Sequence, residues 1–133
     1  MKPKYMLDTN ICIYLMKNQP VEVAERFARC FVGDVVISSI TLAELAYGVV
    51  CSGDAELSNR AALASFLEDV PVAPFDADAA RAYGPARFAT RERKRDALIA
   101  AHATALNVVL VTNNEADFLA YPGLSVENWV DRH

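Results

Sequence analysis

Several carboxylates and amides of this chain stand directly after short apolar runs. Tyr5-Met6-Leu7 is followed by Asp8-Thr9-Asn10. Val35-Val36-Ile37 is followed by Ser38-Ser39-Ile40-Thr41 and then Glu44, and Val108-Val109-Leu110-Val111 by Thr112-Asn113-Asn114, with Glu115 and Asp117 beyond. Asp96 opens an alanine-rich stretch that leads into the last of these runs. Acids gathered at one place repel one another unless a counter-charge joins them, and a hard divalent cation supplies it through oxygen ligands. Mg²⁺ or Mn²⁺ held in this way keeps bound water and can activate it against a phosphodiester. Each residue also has a plain structural use. Asp8 can cap the following helix, Thr41-x-x-Glu44 matches a capping box, Asp96 can complement a helix dipole, and Asn114 is an ordinary N-cap residue. His102, on an apolar helix with no partner nearby in sequence, reads as a neutral histidine, packed or exposed.

The elements that must position these residues follow from periodicity. Tyr5–Leu7 predicts a short strand, Ile11–Lys17 a helix, and Pro20 the start of a second helix carrying Val23, Phe27 and Cys30 on one face. Val35–Ile37 predicts a buried strand. Leu42, Leu45, Ala46 and Val49 form the next helical stripe, which stops near Ser52-Gly53, and Asp54–Glu68 predicts another helix. Val70-Pro71-Val72 reads as a weak strand, and its proline argues for a sheet edge. Asp76 caps a helix through Tyr83 that Gly84-Pro85 should kink or interrupt. Asp96–Leu106 predicts a helix, Val108–Thr112 the clearest strand, and a short helix near Phe118 and a strand at Leu124–Val126 end the pattern. Short strands rich in Val, Leu and Ile, separated by helices, imply βα units around a parallel sheet. In such a sheet chemistry belongs at the carboxyl ends of the strands. On this reading Asp96, at the head of the helix leading into a strand, starts away from that edge unless helix packing brings it there.

With 133 residues, 53% hydrophobic and 23% charged, the chain is expected to form one domain over 1–133, with a core large enough to need no staples. That composition excludes a disordered or linker-dominated chain. Charged residues interrupt every apolar run before it reaches membrane-spanning length, and Met1-Lys2-Pro3-Lys4 does not read as a signal peptide. A soluble, cytoplasmic protein is expected. Cys12, Cys30 and Cys51 form no CxxC pair and read as buried reduced thiols. The net charge of −4 gives no overall attraction to nucleic acid. Its distribution differs: Arg81, Arg87, Arg91, Arg93, Lys94 and Arg95 place six of the thirteen basic side chains in one short segment. That segment is either a solvated face or a patch facing a polyanion.

The order of these motifs resembles the PIN-domain ribonucleases and, within them, the VapC-type toxins of toxin–antitoxin pairs. The resemblance runs from Met6-Leu7-Asp8-Thr9-Asn10-Ile11-Cys12-Ile13, through Ser-x-x-Thr-x-x-Glu-Leu, Asp-x-x-Ile-Ala-Ala-His-Ala and Val-Thr-Asn-Asn, to Val126-Glu127-Asn128-Trp129. It implies an α/β/α sandwich around a mostly parallel sheet of four or five strands, and a metal-dependent endoribonuclease. Asp8, Glu44 and Asp96 would hold Mg²⁺ or Mn²⁺, Thr9 and Asn10 would orient the first acid's surroundings, and Thr112 would hydrogen-bond within the site. The family's fourth acidic position falls on Asn114, an amide that can hold a metal-bound water but adds no charge. The segment from Gly84 to Asp96 is shorter than in the family by roughly half a turn to two turns of helix. Arg87, Arg91, Arg93, Lys94 and Arg95 are candidates for gripping RNA phosphates. The resemblance further implies a homodimer, blocked by a VapB-type antitoxin that often inserts a basic residue into the acidic site, and a tRNA substrate, since similar toxins cut the initiator tRNA anticodon stem-loop. A catalytically weak PIN-like module that binds RNA or a partner is the main alternative. An aspartyl-phosphate enzyme is disfavoured, because Asn10 stands where a phosphatase needs a second Asp, and no Lys follows Lys94 to serve a receiver domain.

Overall fold

The alternation of buried side chains along each strand dictates the layering. The computed structural model describes residues 2–91 and 94–130. Five strands, β1 (Tyr5–Leu7), β2 (Val35–Ser38), β3 (Val72–Ala73), β4 (Val109–Val111) and β5 (Ser125–Glu127), form one sheet in the order β3-β2-β1-β4-β5. Every pairing is parallel. Successive strand residues face opposite sides. Met6, Val36 and Leu110 therefore pack on one face, and Leu7, Ile37 and Val111 on the other. The second face is covered by α1 (Thr9–Lys17), α2 (Val21–Ala28), α3 (Ser39–Val50) and α4 (Glu56–Asp69) through Ile11, Val23, Leu45 and Leu63. The first is covered by α5 (Ala77–Ala89) and α6 (Lys94–Leu106), whose buried Ala86, Ala97, Ala100 and Ala101 permit close approach. The result is the expected α/β/α sandwich. No helix among the described residues is long and apolar enough to cross a membrane.

Three expectations are revised by the fold. Helix α5 runs through Gly84-Pro85 to Ala89 without interruption. An interior proline costs about 3 kcal/mol, and the packing of α5 along α6 over Ala79, Ala82 and Ala86 offsets it. The cysteines differ in burial: Cys12 is buried, Cys30 intermediate and Cys51 exposed. Cys51 caps the end of α3, beyond that helix's inward face. Third, α6 descends into β4, so its first turn lies at the carboxyl edge of the sheet. Asp96 is thus delivered to that edge by the path of the chain itself, reversing the expectation that it starts away from it.

At the far side of the sheet Arg26 stacks against Tyr5 and Trp129, with ring centroids 5.3 and 5.0 Å from its guanidinium carbon. It donates to the Tyr5 hydroxyl at 2.8 Å, while Trp129 Nε1 donates to Glu127 at 2.9 Å. These contacts clamp the segment after β5 over the start of β1.

His102 lies inside the sandwich, 1% exposed, with Nδ1 2.8 Å from Ser38 Oγ and its ring edge-on to Phe75. Burial lowers its pKa below the usual 6.5, against smaller opposing effects of Asp76 and the Pro74 backbone. The folded protein resists protonation that the unfolded chain accepts. Stability should therefore fall as the pH drops below about 6.5 and be insensitive to this group above it. Denaturant titrations of wild type and His102→Gln at pH 5 and pH 7.5 should show a smaller acid-dependent loss in the variant. Thiol labelling provides a second check. Cys51 should react promptly in the native state, whereas Cys12, whose thiol pKa is pushed up by burial and then by Asp8, should react only on unfolding.

Candidate active site

The sheet order reverses direction at its centre: β1 connects outward to β2, while β4 connects to β5 on the other side. That reversal opens a crevice at the carboxyl ends of β1 and β4, the usual place for a site in a parallel sheet. Asp8 stands in it. Its backbone N–H donates to the Val111 carbonyl at 2.9 Å, continuing the β1–β4 ladder by one bond. The residue is 2% exposed and its side chain serves as the N-cap of α1, Oδ1 accepting from Thr9 N at 2.7 Å. Oδ2 accepts from Thr112 Oγ1 at 3.0 Å. The capping use of Asp8 and its place in the crevice are therefore the same geometry, one oxygen serving the helix and the other facing β4.

Glu44 does not close a capping box. Helix α3 begins at Ser39, with Ser38 as the cap accepting from Ile40 N at 3.0 Å, so Thr41 lies inside the first turn and is buried. Glu44, freed from backbone duty, turns to α1, where Thr9 Oγ1 donates to its Oε1 at 3.0 Å. Asp96 lies in the first turn of α6. Three acids separated by dozens of residues are thus drawn to one place by three different helices.

One side chain touches all three. Arg95 donates through Nη2 to Asp8 Oδ1 at 3.0 Å, through Nη1 to Asp96 Oδ1 at 3.1 Å, and through Nε to Glu44 Oε2. Nη2 also donates to Thr9 Oγ1 at 2.9 Å, so Thr9 accepts from the guanidinium while donating to Glu44. Burial disfavours the charge of Arg95, but the hydrogen bond to Glu44 and the charges of Asp8 and Glu44 outweigh it and hold its pKa above the ordinary arginine value. As donors, three carboxylates suit a hard divalent cation. As placed, no three His, Cys, Asp or Glu side chains among the described residues stand close enough to hold a metal. The acids are arranged around the guanidinium instead.

The remaining candidates divide. Thr112 is fully buried and also accepts from the Asn114 backbone N–H at 3.1 Å. Asn114 itself is exposed and supplies that backbone contact, and its side chain does not cap the short helix that follows. Asn10 is exposed on the first turn of α1. Arg87 donates to the Tyr83 hydroxyl at 2.8 Å and to the Arg91 carbonyl at 3.2 Å, Arg91 lies over Phe88, and Lys94 is exposed. Arg93 lies outside the described residues. Among the described members of the basic segment, Arg95 faces the acids. Sequence reasoning grouped it by charge; its position directly before an acid in the first turn of a helix was the available signal.

A groove of about 360 Å³ adjoins Thr9 and Glu44 and runs between α1, α3 and α4, lined by Ile13, Met16, Val49 and Leu63. Its apolar walls begin where the acidic crevice ends.

Replacing Thr112 by Val removes a donor to Asp8 and the acceptor of Asn114 N–H while keeping side-chain volume. Leaving buried polar partners unmatched costs about 1–3 kcal/mol. Urea denaturation of Thr112→Val should show a loss of that size, and Thr112→Ser should recover most of it.

Comparison with known proteins agrees with this fold. The PIN domain model matches residues 5–124. The chain is 40% identical over 131 residues to the tRNA(fMet)-specific endonuclease VapC of Shigella flexneri, covering 95% of this chain and 98% of that protein. It is 39% identical over 131 residues to ribonuclease VapC2 of Rickettsia felis, covering 94% and 97%. It superposes on the DNA-bound VapBC structure from Salmonella typhimurium with a TM-score of 0.86 and 38% identity, covering 96% of this chain and 99% of that one. Matched by that family model over nearly its whole length and by these relatives, the chain belongs to the PIN-domain family, among the VapC ribonucleases.

Proposed function

We propose that this protein is an endoribonuclease that hydrolyses RNA phosphodiesters with Mg²⁺ or Mn²⁺ held by Asp8, Glu44 and Asp96. The observation that carries the reading is the convergence of these acids, from the N-cap of α1, from α3 and from the first turn of α6, on the crevice where the sheet order reverses. A divalent ion in such a site supplies a water of lowered pKa and offsets charge developing on the phosphoryl group. The chain's own residues do the positioning. Thr112 and the Thr9 N–H fix the two oxygens of Asp8, and the Thr9 hydroxyl fixes Glu44. Lys94 and Arg91, exposed near the head of α6, suit contact with the phosphates that flank a scissile bond.

Initiator tRNA is the proposed substrate, a choice supported by the name of the Shigella flexneri relative. A VapB-type antitoxin is the proposed partner and a homodimer the proposed assembly, with the protein acting in the cytoplasm. The solved Salmonella typhimurium relative is a VapBC assembly. The apolar groove beside Glu44 suits an amphipathic segment of such a partner. A second reading, a PIN-like module that binds RNA and cuts it weakly, is favoured by the guanidinium of Arg95 among the acids and by the amide Asn114 at the family's fourth acidic position.

The test uses protein purified free of antitoxin and 5′-end-labelled initiator tRNA, with Mg²⁺, Mn²⁺ or EDTA. Discrete cleavage is expected with either metal, abolished by EDTA and reduced at least about 100-fold in Asp8→Ala. Cleavage that persists in EDTA overturns the metal requirement, and cleavage that only matches the Asp8→Ala background overturns the nuclease reading. In the latter case, retention of tRNA binding in a salt-dependent gel-shift assay supports the binding module.

A further inference from the structure

We infer that Arg95 is a tethered competitor of the divalent cation: its guanidinium holds the three acids in the metal-free protein and must swing out before the cation can bind. The inference rests on the cation part of the proposed function and goes beyond it by assigning an internal gate to the same site.

Three observations carry it. First, the contacts are too complete for a cation to be added alongside. The guanidinium reaches Asp8, Glu44 and Asp96 together and takes a fourth acceptor in Thr9. It engages one oxygen of each acid, Asp8 Oδ1, Glu44 Oε2 and Asp96 Oδ1, and lies between them. Second, the three acids are arranged around the planar fork of the guanidinium, and no group of three or more His, Cys, Asp or Glu among the described residues is placed to hold a metal ion. Third, the side chain has a way out. It is 39% exposed and borders an open recess lined by Ile40, Ala43 and Tyr47 on α3. A long side chain at the rim of a site can rotate into such a recess without disturbing the backbone of α6. Lys cannot imitate the arrangement, because an ammonium is a compact point charge that does not present a planar fork to three acceptors.

The two occupants differ in charge. The guanidinium brings one positive charge to Asp8, Glu44 and Asp96 where a divalent ion brings two, which favours exchange once the ion's concentration suffices. An RNA phosphate arriving at the site would favour the same exchange by attracting the displaced guanidinium.

The test is Mn²⁺ binding to the antitoxin-free protein, read by calorimetry and by the electron paramagnetic resonance of free Mn²⁺, for wild type, Arg95→Gln, Arg95→Lys and Asp8→Asn. Removing the competing charge in Arg95→Gln should tighten Mn²⁺ binding by about tenfold, with Arg95→Lys in between and Asp8→Asn weaker than wild type. In wild-type protein, which needs no variant to fold, the Arg95 Nε–H resonance held by Glu44 should shift and exchange faster with solvent when Mg²⁺ is added. Equal or weaker Mn²⁺ binding by Arg95→Gln, or an unmoved Nε–H signal in protein that binds Mg²⁺, overturns the inference and leaves the nuclease reading standing. Absence of Mn²⁺ binding in every form overturns both.

Discussion

The position of the Asp8 carboxylate is the constraint on which the crevice depends. Its backbone extends the pairing of β1 with β4, its Oδ1 caps α1, and its Oδ2 takes the hydroxyl of Thr112 from the end of β4. Central strand, adjacent strand and first helix are therefore locked at one buried residue. The cost of burying an anion is met by donors on every side, and those donors come from elements that the sheet must bring together anyway. Thr9 then carries the constraint outward, since its hydroxyl both accepts from Arg95 and donates to Glu44. A small displacement of β4 against β1 would alter the acid, its cap and its neighbours at once.

Electrostatics gives the site its character. Acids converging from three helices need a positive partner, and this chain supplies one from the residue next to the third acid. Any other cation that enters meets the same three acids, so all cations face one requirement there. Thr112, with no charge, fixes geometry without taking sides among them.

Much of this was legible in the sequence, and the limits have physical causes. Strands such as Tyr5–Leu7 and Val35–Ile37 are short, β-branched or apolar, and bounded by polar residues, so their places and their parallel pairing could be read directly. The edge position of β3 followed from Pro71. The continuity of α5 through Pro85 could not be read, because the compensation lies in alanine packing between α5 and α6, a tertiary effect that overrides local propensity. Thr41-x-x-Glu44 misled for a related reason: Ser38 caps the helix three residues earlier, and the capping pattern is satisfied by a different residue. Asp8, Glu44 and Asp96 were recognisable as candidates from their places after strands and at helix starts. The role of Arg95 was not, because charge counting along a segment says nothing about which member turns inward. His102 found Ser38 across the sandwich, a pairing that no sequence spacing announces.

The clamp of Arg26 between Tyr5 and Trp129 has a consequence in time. Strand β4 meets β5 only when residues 125–127 are available, and Thr112 N–H takes its acceptor from Glu127. Trp129 then closes over the first strand of the chain. During synthesis the N-terminal half can collapse early, yet the residue that fixes Asp8 from β4 acquires its own backbone partner last. A nascent chain thus carries its acids before it carries an assembled crevice, and a fold built this way completes its site only once β5 has joined β4.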